Sequence, residues 1–442
     1  MPINSQGRKR READFVPAPD ARRKFQKNQT VLKKNFRLPD DLTPNRWARL
    51  LGKTRAEALA AGTTLLDLTI SNPTVAGFRR ARTELAEALC SGEIENYSPS
   101  PRGSDAARRA VAEFYKDEHG VEISPEQIRL TASTSEAYSL LAKLLCAAGD
   151  NVLAPAPSYP LIEHLCRLEL VDTRRYFLRF DERAERWTPD FASLKLVADE
   201  RSRAVFCVAP NNPTGSVFSG DERARLLAFS RERALPIVVD EVFAEYPSGG
   251  NDASRGKNSP RKCAESFAGA TDAPIFVLGG LSKTAALPQM KIGWIVTCGE
   301  KNFVEEASRR LDFISDAYLS VSEPSQCAVP ALLAGARAMR EKICERLDGN
   351  ELLLRDWAAT SPHGVRILPR EAGWYAIVRL PKGVDEDAIC TDLLRREKTV
   401  VHPGWFYDLE GVPAPHLVIS LLTPPGILAA ALPRFDSALL RN

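Results

Sequence analysis

Short apolar runs alternate with amphipathic segments through most of the chain. The runs are rich in β-branched residues and end at turn residues, a pattern that predicts buried strands. The predicted strands are Val152–Ala154, Arg203–Val208, Pro236–Val239, Ile275–Leu278 and Ile292–Thr297. Apolar residues at spacings of three and four predict the helices Ser135–Cys146, Asp221–Arg233 (with Asp221 as N-cap) and Lys301–Phe313. This alternation predicts an α/β fold with a mainly parallel sheet covered on both faces.

The pattern changes after about residue 315. One long helical stretch, Pro324–Ala358, precedes short alternating strands, which predicts a smaller α+β domain. These strands are Val365–Leu368, Gly373–Leu380, Thr399–Val401 and Leu417–Leu421. The predicted division is a tail (1–35), an N-terminal arm with part of the small domain (36–78), a large domain (79–315) and a small C-terminal domain (316–442). We expect the segment Leu42–Leu66 to pack against the small domain.

The first 35 residues differ from the rest of the chain in charge and hydrophobicity. They carry ten lysines and arginines against three acidic residues, a balance of +7, whereas the whole chain has a formal net charge of +3. With few large apolar side chains this segment cannot form a core, and we expect a disordered basic tail. A basic tail can contact nucleic acid or a membrane, but a solvated extension is the simpler interpretation. We therefore expect no nucleic-acid partner.

Composition narrows the classes of protein further. The 442 residues are 44% hydrophobic and 26% charged, as in soluble globular proteins of two or three domains. No apolar run approaches the roughly 20 residues that cross a bilayer, and residues 1–35 lack the apolar stretch of a signal-peptide pattern, so we expect no membrane association. Nine scattered cysteines without a CxxC pair predict reduced thiols in a cytoplasmic protein. The five histidines show no metal-ligand spacing, and we expect no metal.

Polar clusters follow several predicted strands, at the edge where open α/β sheets bind ligands. Hydroxyls at the start of a helix, as in "TASTSEAY", suit a phosphate, although a plain helix cap uses the same residues. The asparagines of "APNNPTG" also fit a turn, and the carboxylate that ends "PIVVD" also fits the surface. The last cluster, "GGLSKTAALPQMKIGW", places a lysine after two glycines. The residues concerned are Ser133, Thr134, Ser135, Asn212, Asp240, Ser282, Lys283 and Lys291.

One ligand, pyridoxal 5′-phosphate, has a chemical group that suits each of these four clusters. Its phosphate suits Ser133–Ser135, and its phenolic oxygen suits Asn212. Its ring nitrogen works best protonated beside a carboxylate, here Asp240, and its aldehyde condenses with a lysine amine, here Lys283. Burial and nearby positive charge would lower the pKa of that amine and favour the imine. The sequence therefore predicts a pyridoxal phosphate site anchored on Lys283.

The motifs "NNPTG", "DEVF" and "SKTAALPQMKIGW", in this order and approximate spacing, resemble those of the class I and II aminotransferases, a group of fold-type I pyridoxal phosphate enzymes. The resemblance extends from about Phe36 to Phe435. It implies a large cofactor-binding domain with a mainly parallel sheet of the seven-stranded type, a smaller α+β C-terminal domain and a homodimer. It also implies transfer of an amino group between an amino acid, or a related amine, and a keto acid.

The resemblance also implies roles for individual residues. Lys283 would form the Schiff base and move the proton, Asp240 would pair with the ring nitrogen, and Asn212 would bond the phenolic oxygen. Tyr159 would stack on the ring, and Tyr97 would reach the phosphate bound by the neighbouring subunit. The other implied cofactor contacts are Ser133, Thr134, Ser135, Phe243, Ser282 and Lys291. The loop "LDLTISNPTVAGF" resembles the segment on the substrate side, which makes Asn72 a substrate-site candidate.

Three positions depart from the family pattern. Lys291 stands where an arginine usually pairs with the phosphate, and Phe243 stands where a tyrosine usually donates to the phenolic oxygen. Val418 stands where an arginine usually holds the substrate α-carboxylate. Either Arg370 or Arg379, in "PREAGWYAIVRLP", is a candidate replacement, or else the substrate is bound in another way.

Two other functions stay open at the level of sequence. The same cofactor site serves β-lyases and decarboxylases, because the reaction depends on which α-carbon bond stands perpendicular to the ring. A regulator that uses this fold as an effector sensor is the second alternative. The first 35 residues are too short and too poor in apolar residues for the DNA-binding domain that such a regulator needs.

Overall fold

The computed structural model describes residues 46–92, 94–249, 261, 263–319, 321–409 and 414–442. The basic tail that we predict over 1–35 lies outside these residues. Thr43–Asn442 forms one compact unit. The domain boundary that we place near residue 315 therefore stays a prediction.

Three sheets are built from strands along the described chain. In chain order the strands are β1 (Leu66–Asp67), β2 (Ile128–Thr131), β3 (Asn151–Ala156), β4 (Asp172–Asp181), β5 (Arg186–Pro189), β6 (Ser202–Val208), β7 (Ile237–Asp240), β8 (Ile275–Gly280), β9 (Gly293–Cys298), β10 (Arg366–Ile367), β11 (Tyr375–Arg379), β12 (Thr399–Val400), β13 (His402–Pro403) and β14 (His416–Ser420). Each predicted strand is present, and its ends differ from the prediction by at most two residues. The sequence pattern missed β2, β4, β5 and the short β1 and β13.

The largest sheet has eight strands in the order β2-β9-β8-β7-β6-β3-β4-β5. Strands β8, β7, β6, β3 and β4 run parallel, and β9 and the edge strand β5 run antiparallel to their neighbours. Every residue of β3, β7, β8 and β9 is buried, because helices cover both faces of the sheet. The mainly parallel sheet is thus confirmed. It has one strand more than the seven-stranded type, because β5 folds back along β4.

Thirteen helices longer than three residues lie in the parts of the chain that the structure describes, apart from 3-10 and π turns. They are α1 (Arg46–Ala60), α2 (Arg82–Leu89), α3 (Asp105–Phe114), α4 (Thr134–Leu145), α5 (Leu161–Leu168), α6 (Phe191–Val197), α7 (Gly220–Arg233), α8 (Leu281–Thr284), α9 (Lys301–Asp316), α10 (Glu323–Ala334), α11 (Ala336–Thr360), α12 (Glu386–Arg395) and α13 (Pro425–Leu439).

Two helix predictions were wrong in detail. The N-cap of α7 is Ser219 rather than Asp221, because the Ser219 hydroxyl and the Glu222 carboxylate cap each other's backbone N–H groups. The single helix expected over Pro324–Ala358 is two helices, α10 and α11, which are separated at Gly335. Gly335 is packed closely, since a Cβ atom there would lie 2.8 Å from Nη1 of Arg80.

The C-terminal region contains a separate four-stranded sheet of order β10-β11-β14-β13, in which all neighbours are antiparallel. Strands β1 and β12 form a short parallel pair, and α1 packs on α12. The N-terminal segment therefore lies against the C-terminal region, as the sequence analysis expected. Strand β14 places Val418 opposite Ile377, with its side chain fully buried.

Candidate functional site

Three neighbouring parallel strands end at one edge of the large sheet. In register, Val208 of β6 lies beside Asp240 of β7, and Asp240 lies beside Leu278 of β8. Each strand continues into a turn or helix that carries a polar side chain, so that Asn212, Asp240 and Lys283 come together at this edge. A cavity of about 270 Å³ opens between them.

Most of the predicted cofactor residues line this cavity. They are Ser133, Thr134, Ser135, Tyr159, Asn212, Asp240, Phe243, Ser282 and Lys283. Ser71 and Tyr375 also line it and were not predicted as site residues. Tyr375 comes from the C-terminal sheet and Ser71 from the segment after β1, so only the fold brings them to the cavity.

Three other predicted residues do not line the cavity. Lys291 is exposed and has a left-handed backbone with φ of 53°. Tyr97 is 69% exposed, which is compatible with its implied contact to a second subunit. Asn72 stabilises its own loop, because its Oδ1 accepts the N–H of Thr74 at 3.0 Å and the Thr74 hydroxyl at 2.8 Å.

The two arginines proposed for the substrate carboxylate are paired elsewhere. Arg370 is buried, its Nε lies 2.7 Å from a Glu351 carboxylate oxygen, and its Nη1 donates to the Gly373 carbonyl at 3.0 Å. Arg379 Nη1 lies 2.6 Å from Glu182. Neither side chain lines the cavity. The guanidinium groups are therefore used in ion pairs outside the site.

The Asp240 carboxylate is buried at the end of β7 and accepts two hydrogen bonds. The Tyr138 hydroxyl donates to one oxygen at 3.2 Å, and the Val242 N–H donates to the other at 3.2 Å. Burial raises the pKa of Asp240 to about 6, although these bonds and the charge of Lys283 oppose the shift. Tyr138 was not predicted, and its position in the second turn of α4 gives no sequence signal for this contact.

The Lys283 amine lies in the cavity beside aromatic rings. Its Nζ donates to the Ser71 carbonyl at 3.2 Å and lies 4.5 Å from the ring centre of Trp374 and 5.6 Å from that of Phe243. Burial lowers the pKa of Lys283 to about 8, against the opposing effect of Asp240. A larger fraction of the amine is therefore neutral near physiological pH than for an exposed lysine, as nucleophilic attack requires.

The start of α4 forms a cradle beside this lysine. The Ser133 hydroxyl caps the N–H of Glu136 at 3.2 Å, and the helix N-terminus with the hydroxyls of Thr134 and Ser135 faces the cavity. Gly293 of β9 lies directly against this turn, because a Cβ atom there would come 2.9 Å from the Ser133 carbonyl carbon. Such a helix start binds anions, and phosphate in particular.

These residues fit pyridoxal phosphate. Asn211 is used internally, since it donates to the Pro157 carbonyl and accepts the Thr214 N–H. The neighbouring Asn212 is buried, and its Oδ1 has no hydrogen-bond partner within the described chain. A buried amide, an anion cradle, a buried carboxylate and a lysine of lowered pKa therefore surround one cavity.

The described residues contain neither a group of metal ligands nor a membrane-spanning helix. Among the described residues, no three or more histidine, cysteine, aspartate or glutamate side chains are grouped as metal ligands. No helix in the same residues combines the length and the apolar character required to cross a bilayer.

Comparison with known proteins gives related sequences and structures. Alanine aminotransferase of Mycobacterium tuberculosis (strain H37Rv) is 28% identical over 394 residues, or 86% of this chain and 87% of that protein. Nicotianamine aminotransferase 1 of Oryza sativa subsp. japonica is 26% identical over 340 residues, which are 73% of this chain and 64% of that protein. The solved alanine aminotransferase of Pyrococcus furiosus has the same fold, with a TM-score of 0.79 at 23% identity over 93% of this chain and 100% of that one.

A family model connects these relatives to the site. The model described as aminotransferase class I and II matches residues 63–421, which include every residue around the cavity. The chain therefore belongs to the class I and II aminotransferases, a family of enzymes that use pyridoxal phosphate.

Proposed function

We propose that this protein transfers amino groups and that Lys283 is both its cofactor anchor and its proton carrier. The observation that carries the proposal is the Lys283 amine, whose pKa burial lowers to about 8, in one cavity with the Asp240 carboxylate and the α4 N-terminus. When bound, pyridoxal phosphate supplies an electron sink for the negative charge that develops at the substrate α-carbon.

The surrounding residues would bind and orient the cofactor. Ser133–Ser135 would hold its phosphate, Asn212 its phenolic oxygen and Asp240 its protonated ring nitrogen. With a pKa of about 6, Asp240 is ionised at neutral pH and favours that proton. Lys283 Nζ would take the α-proton as a general base and deliver it as a general acid. Tyr159 and Phe243 line the same cavity and would add aromatic surface beside the cofactor ring.

The proposed substrates are an amino acid, or a related amine, and a keto acid. Relatives named alanine, tyrosine and nicotianamine aminotransferases support this class. Among the described residues no arginine lines the cavity. Breaking a buried ion pair costs about 3–5 kcal/mol, so Arg370 would reach a substrate only at a large energetic cost. We assign a substrate carboxylate instead to polar groups at the cavity, such as the hydroxyls of Ser71 and Tyr375.

We also propose a cytoplasmic homodimer. None of the nine cysteines forms a disulfide, as is usual in reducing compartments. Tyr97 is exposed on this subunit and would complete the phosphate site of its neighbour.

Reduction with borohydride tests the role of Lys283. We expect the purified protein to absorb as an imine and the reduced cofactor to be found on Lys283 by peptide mapping. The Lys283→Ala variant should lose the label, and turnover should fall by at least about 10²–10⁴-fold. Lys143→Ala is the matched control, because Lys143 pairs with Glu169 away from the cavity. A label on another lysine, or full turnover by Lys283→Ala, would contradict the proposal.

A lyase reaction is the second candidate, because one relative carries that name. The S-alkyl-thiohydroximate lyase of Arabidopsis thaliana is 28% identical over 337 residues. Product analysis separates the two reactions: transamination leaves pyridoxamine phosphate, whereas elimination releases ammonia and leaves the cofactor as the aldehyde. We expect pyridoxamine phosphate to accumulate when an amino donor is added without an acceptor.

A further inference from the structure

The turn that carries Lys283 is too short to hold its own position. Helix α8 has four residues, and its first carbonyl, on Leu281, accepts the N–H groups of Ala285 at 3.1 Å and Leu287 at 3.0 Å. Helices of this length are not stable by themselves, because nucleation is unfavourable. The position of the lysine backbone must therefore be fixed by contacts from other elements.

Buried side chains bond to this turn, and none of them lines the cavity. The Tyr246 hydroxyl donates to the Lys283 carbonyl at 2.5 Å, and Arg340 Nη1 donates to the Thr284 carbonyl at 3.1 Å. The Thr284 hydroxyl donates to a carboxylate oxygen of Glu245 at 3.0 Å. The exposed fractions of Thr284, Glu245, Tyr246 and Arg340 are 1%, 6%, 0% and 4%, so water does not compete for these bonds.

The residues that hold the turn are themselves held by charged partners. The second carboxylate oxygen of Glu245 lies 3.1 Å from Nε2 of His119, and Arg340 Nη2 lies 2.5 Å from Glu118. Burial opposes a charge on His119, but the bond and the charge of Glu245 outweigh it and raise the pKa of His119. Glu245 is therefore fixed between the Thr284 hydroxyl and the imidazole.

Tyr246 also contacts the surface against which the amine lies. Its ring packs edge-on against Trp374, with 5.0 Å between ring centres, and Lys283 Nζ lies 4.5 Å from the Trp374 ring centre. One side chain thus bonds the lysine backbone and supports the aromatic wall under the lysine amine. The turn 240–246, which carries Asp240 and Phe243 into the cavity, carries Glu245 and Tyr246 to the buried side of the Lys283 turn.

We propose that Thr284, held by Glu245, and Tyr246 are positioning residues for Lys283: they fix the backbone of its turn so that the amine stays in the cavity over Trp374. The inference rests on the proposed role of Lys283 as cofactor anchor. Small displacements of a reacting group, of about 1 Å, can reduce a rate by about 10²-fold, so a fixed turn has a functional consequence.

The pH midpoint of the imine absorbance reports the position of the lysine nitrogen. It is measured on the full chain loaded with pyridoxal 5′-phosphate, for Thr284→Val and Tyr246→Phe. Both substitutions remove one hydrogen bond without changing charge or much volume. A lysine nitrogen that is released towards water holds its proton more easily, because burial disfavours the charged form. We therefore expect the midpoint to rise by about half a pH unit or more.

Matched controls separate positioning from general stability. Tyr176→Phe removes a buried tyrosine hydroxyl that donates to the Phe206 carbonyl at 3.0 Å, and Ser230→Ala removes a buried hydroxyl that donates to the Leu235 carbonyl at 2.7 Å. Neither residue lines the cavity. Both controls should lower the melting temperature and leave the midpoint unchanged. Thr284→Ser keeps the hydroxyl and should restore the midpoint of Thr284→Val to that of the original chain.

Each outcome separates this inference from the proposed function. Unchanged midpoints in Thr284→Val and Tyr246→Phe, in a protein whose imine forms on Lys283, overturn the positioning role and leave the proposed function intact. An original chain without an imine on Lys283 contradicts the proposed function and this inference with it. The two variants break separate bonds to the same turn, so if one fails to fold, the midpoint of the other decides.

Discussion

The proposed function of Asp240 conflicts with the stability of the protein that has no cofactor bound. It is buried at the end of an apolar strand, and burial raises its pKa to about 6. The protonated ring nitrogen of a bound cofactor would place a positive charge beside the Asp240 carboxylate. Without the cofactor, the positive charge that acts on Asp240 comes from Lys283. Functional groups of this kind commonly lower the stability of the protein that carries them.

We predict that Asp240→Asn stabilises the cofactor-free protein at pH 7. The folded pKa of about 6 lies above the ordinary value of 3.8, so the folded state binds the proton more tightly and loses stability as pH rises between these values. A shift of about two units corresponds to at most about 3 kcal/mol. Urea unfolding at pH 7 should show part of this gain, and the gain should disappear below about pH 4.

The same substitution should impair function. Loss of the carboxylate should lower turnover by about 100-fold or more and weaken cofactor retention. Asp150→Asn is the control, since Asp150 is also buried but pairs with Arg203 away from the cavity. An Asp240→Asn protein that is less stable than the original chain at pH 7 would contradict the assignment of a stability cost to this carboxylate.

At the scale of elements, the anion cradle depends on how closely β9 approaches the start of α4. The Thr131 hydroxyl donates to the Ser133 carbonyl at 2.9 Å, and this fixes the turn before the helix. Gly293 of β9 packs against this turn with no room for a side chain. A Cβ atom at Gly293 would lie 2.9 Å from the Thr131 hydroxyl oxygen and 3.0 Å from the Thr134 nitrogen. The glycine is therefore needed for the close approach of two backbones.

We predict that Gly293→Ala displaces the cradle and weakens cofactor binding. Overpacking of this kind typically costs about 1–3 kcal/mol, which corresponds to about a tenfold loss of affinity or more if it falls on the bound state. Fluorescence titration with pyridoxal 5′-phosphate measures the effect. Gly220→Ala is the control, because no atom lies within 4 Å of the added Cβ. Equal affinities of the two variants would show that the cradle tolerates the displacement.

At the scale of the whole molecule, one subunit presents an aromatic residue that its own site does not use. Tyr97 is 69% exposed and does not line the cavity of its own subunit. Closed two-fold dimers are the commonest assemblies of soluble proteins, and they allow one subunit to complete the site of the other.

We predict a dimer in light scattering and a role for Tyr97 across its interface. Tyr97→Ala should weaken binding of pyridoxal 5′-phosphate by about tenfold, as expected for the loss of one hydrogen bond to a charged group. Tyr318→Ala is the control, because Tyr318 is 58% exposed and also lies outside the cavity. A fully active monomer, or equal affinities of the two variants, would contradict the shared site.

The α/β pattern and the positions of the polar clusters could be predicted because they depend on local sequence. Parallel strands share a carboxyl edge, so the residues that follow β6, β7 and β8 had to lie near one another. Strand β4 was missed because only part of it is buried, and β5 because it is a short edge strand. The break at Gly335 was missed because helical periodicity continues on both sides of it.

The sequence by itself determined the central strands β3, β6, β7, β8 and β9 of the large sheet and the edge at which ligands bind. It also determined the lysine, carboxylate and helix start that face one cavity, because these follow from the order of short apolar runs and the residues after them. Only the tertiary structure decided which members of each cluster are available. Asn211 is bonded internally whereas Asn212 keeps an unused oxygen, and Arg370 is paired with Glu351. The anchoring of Lys283 by Tyr246 likewise depends on contacts between elements that are distant in sequence. Hydrogen bonds and ion pairs of this kind are selected by burial and distance, which the order of residues along the chain does not specify.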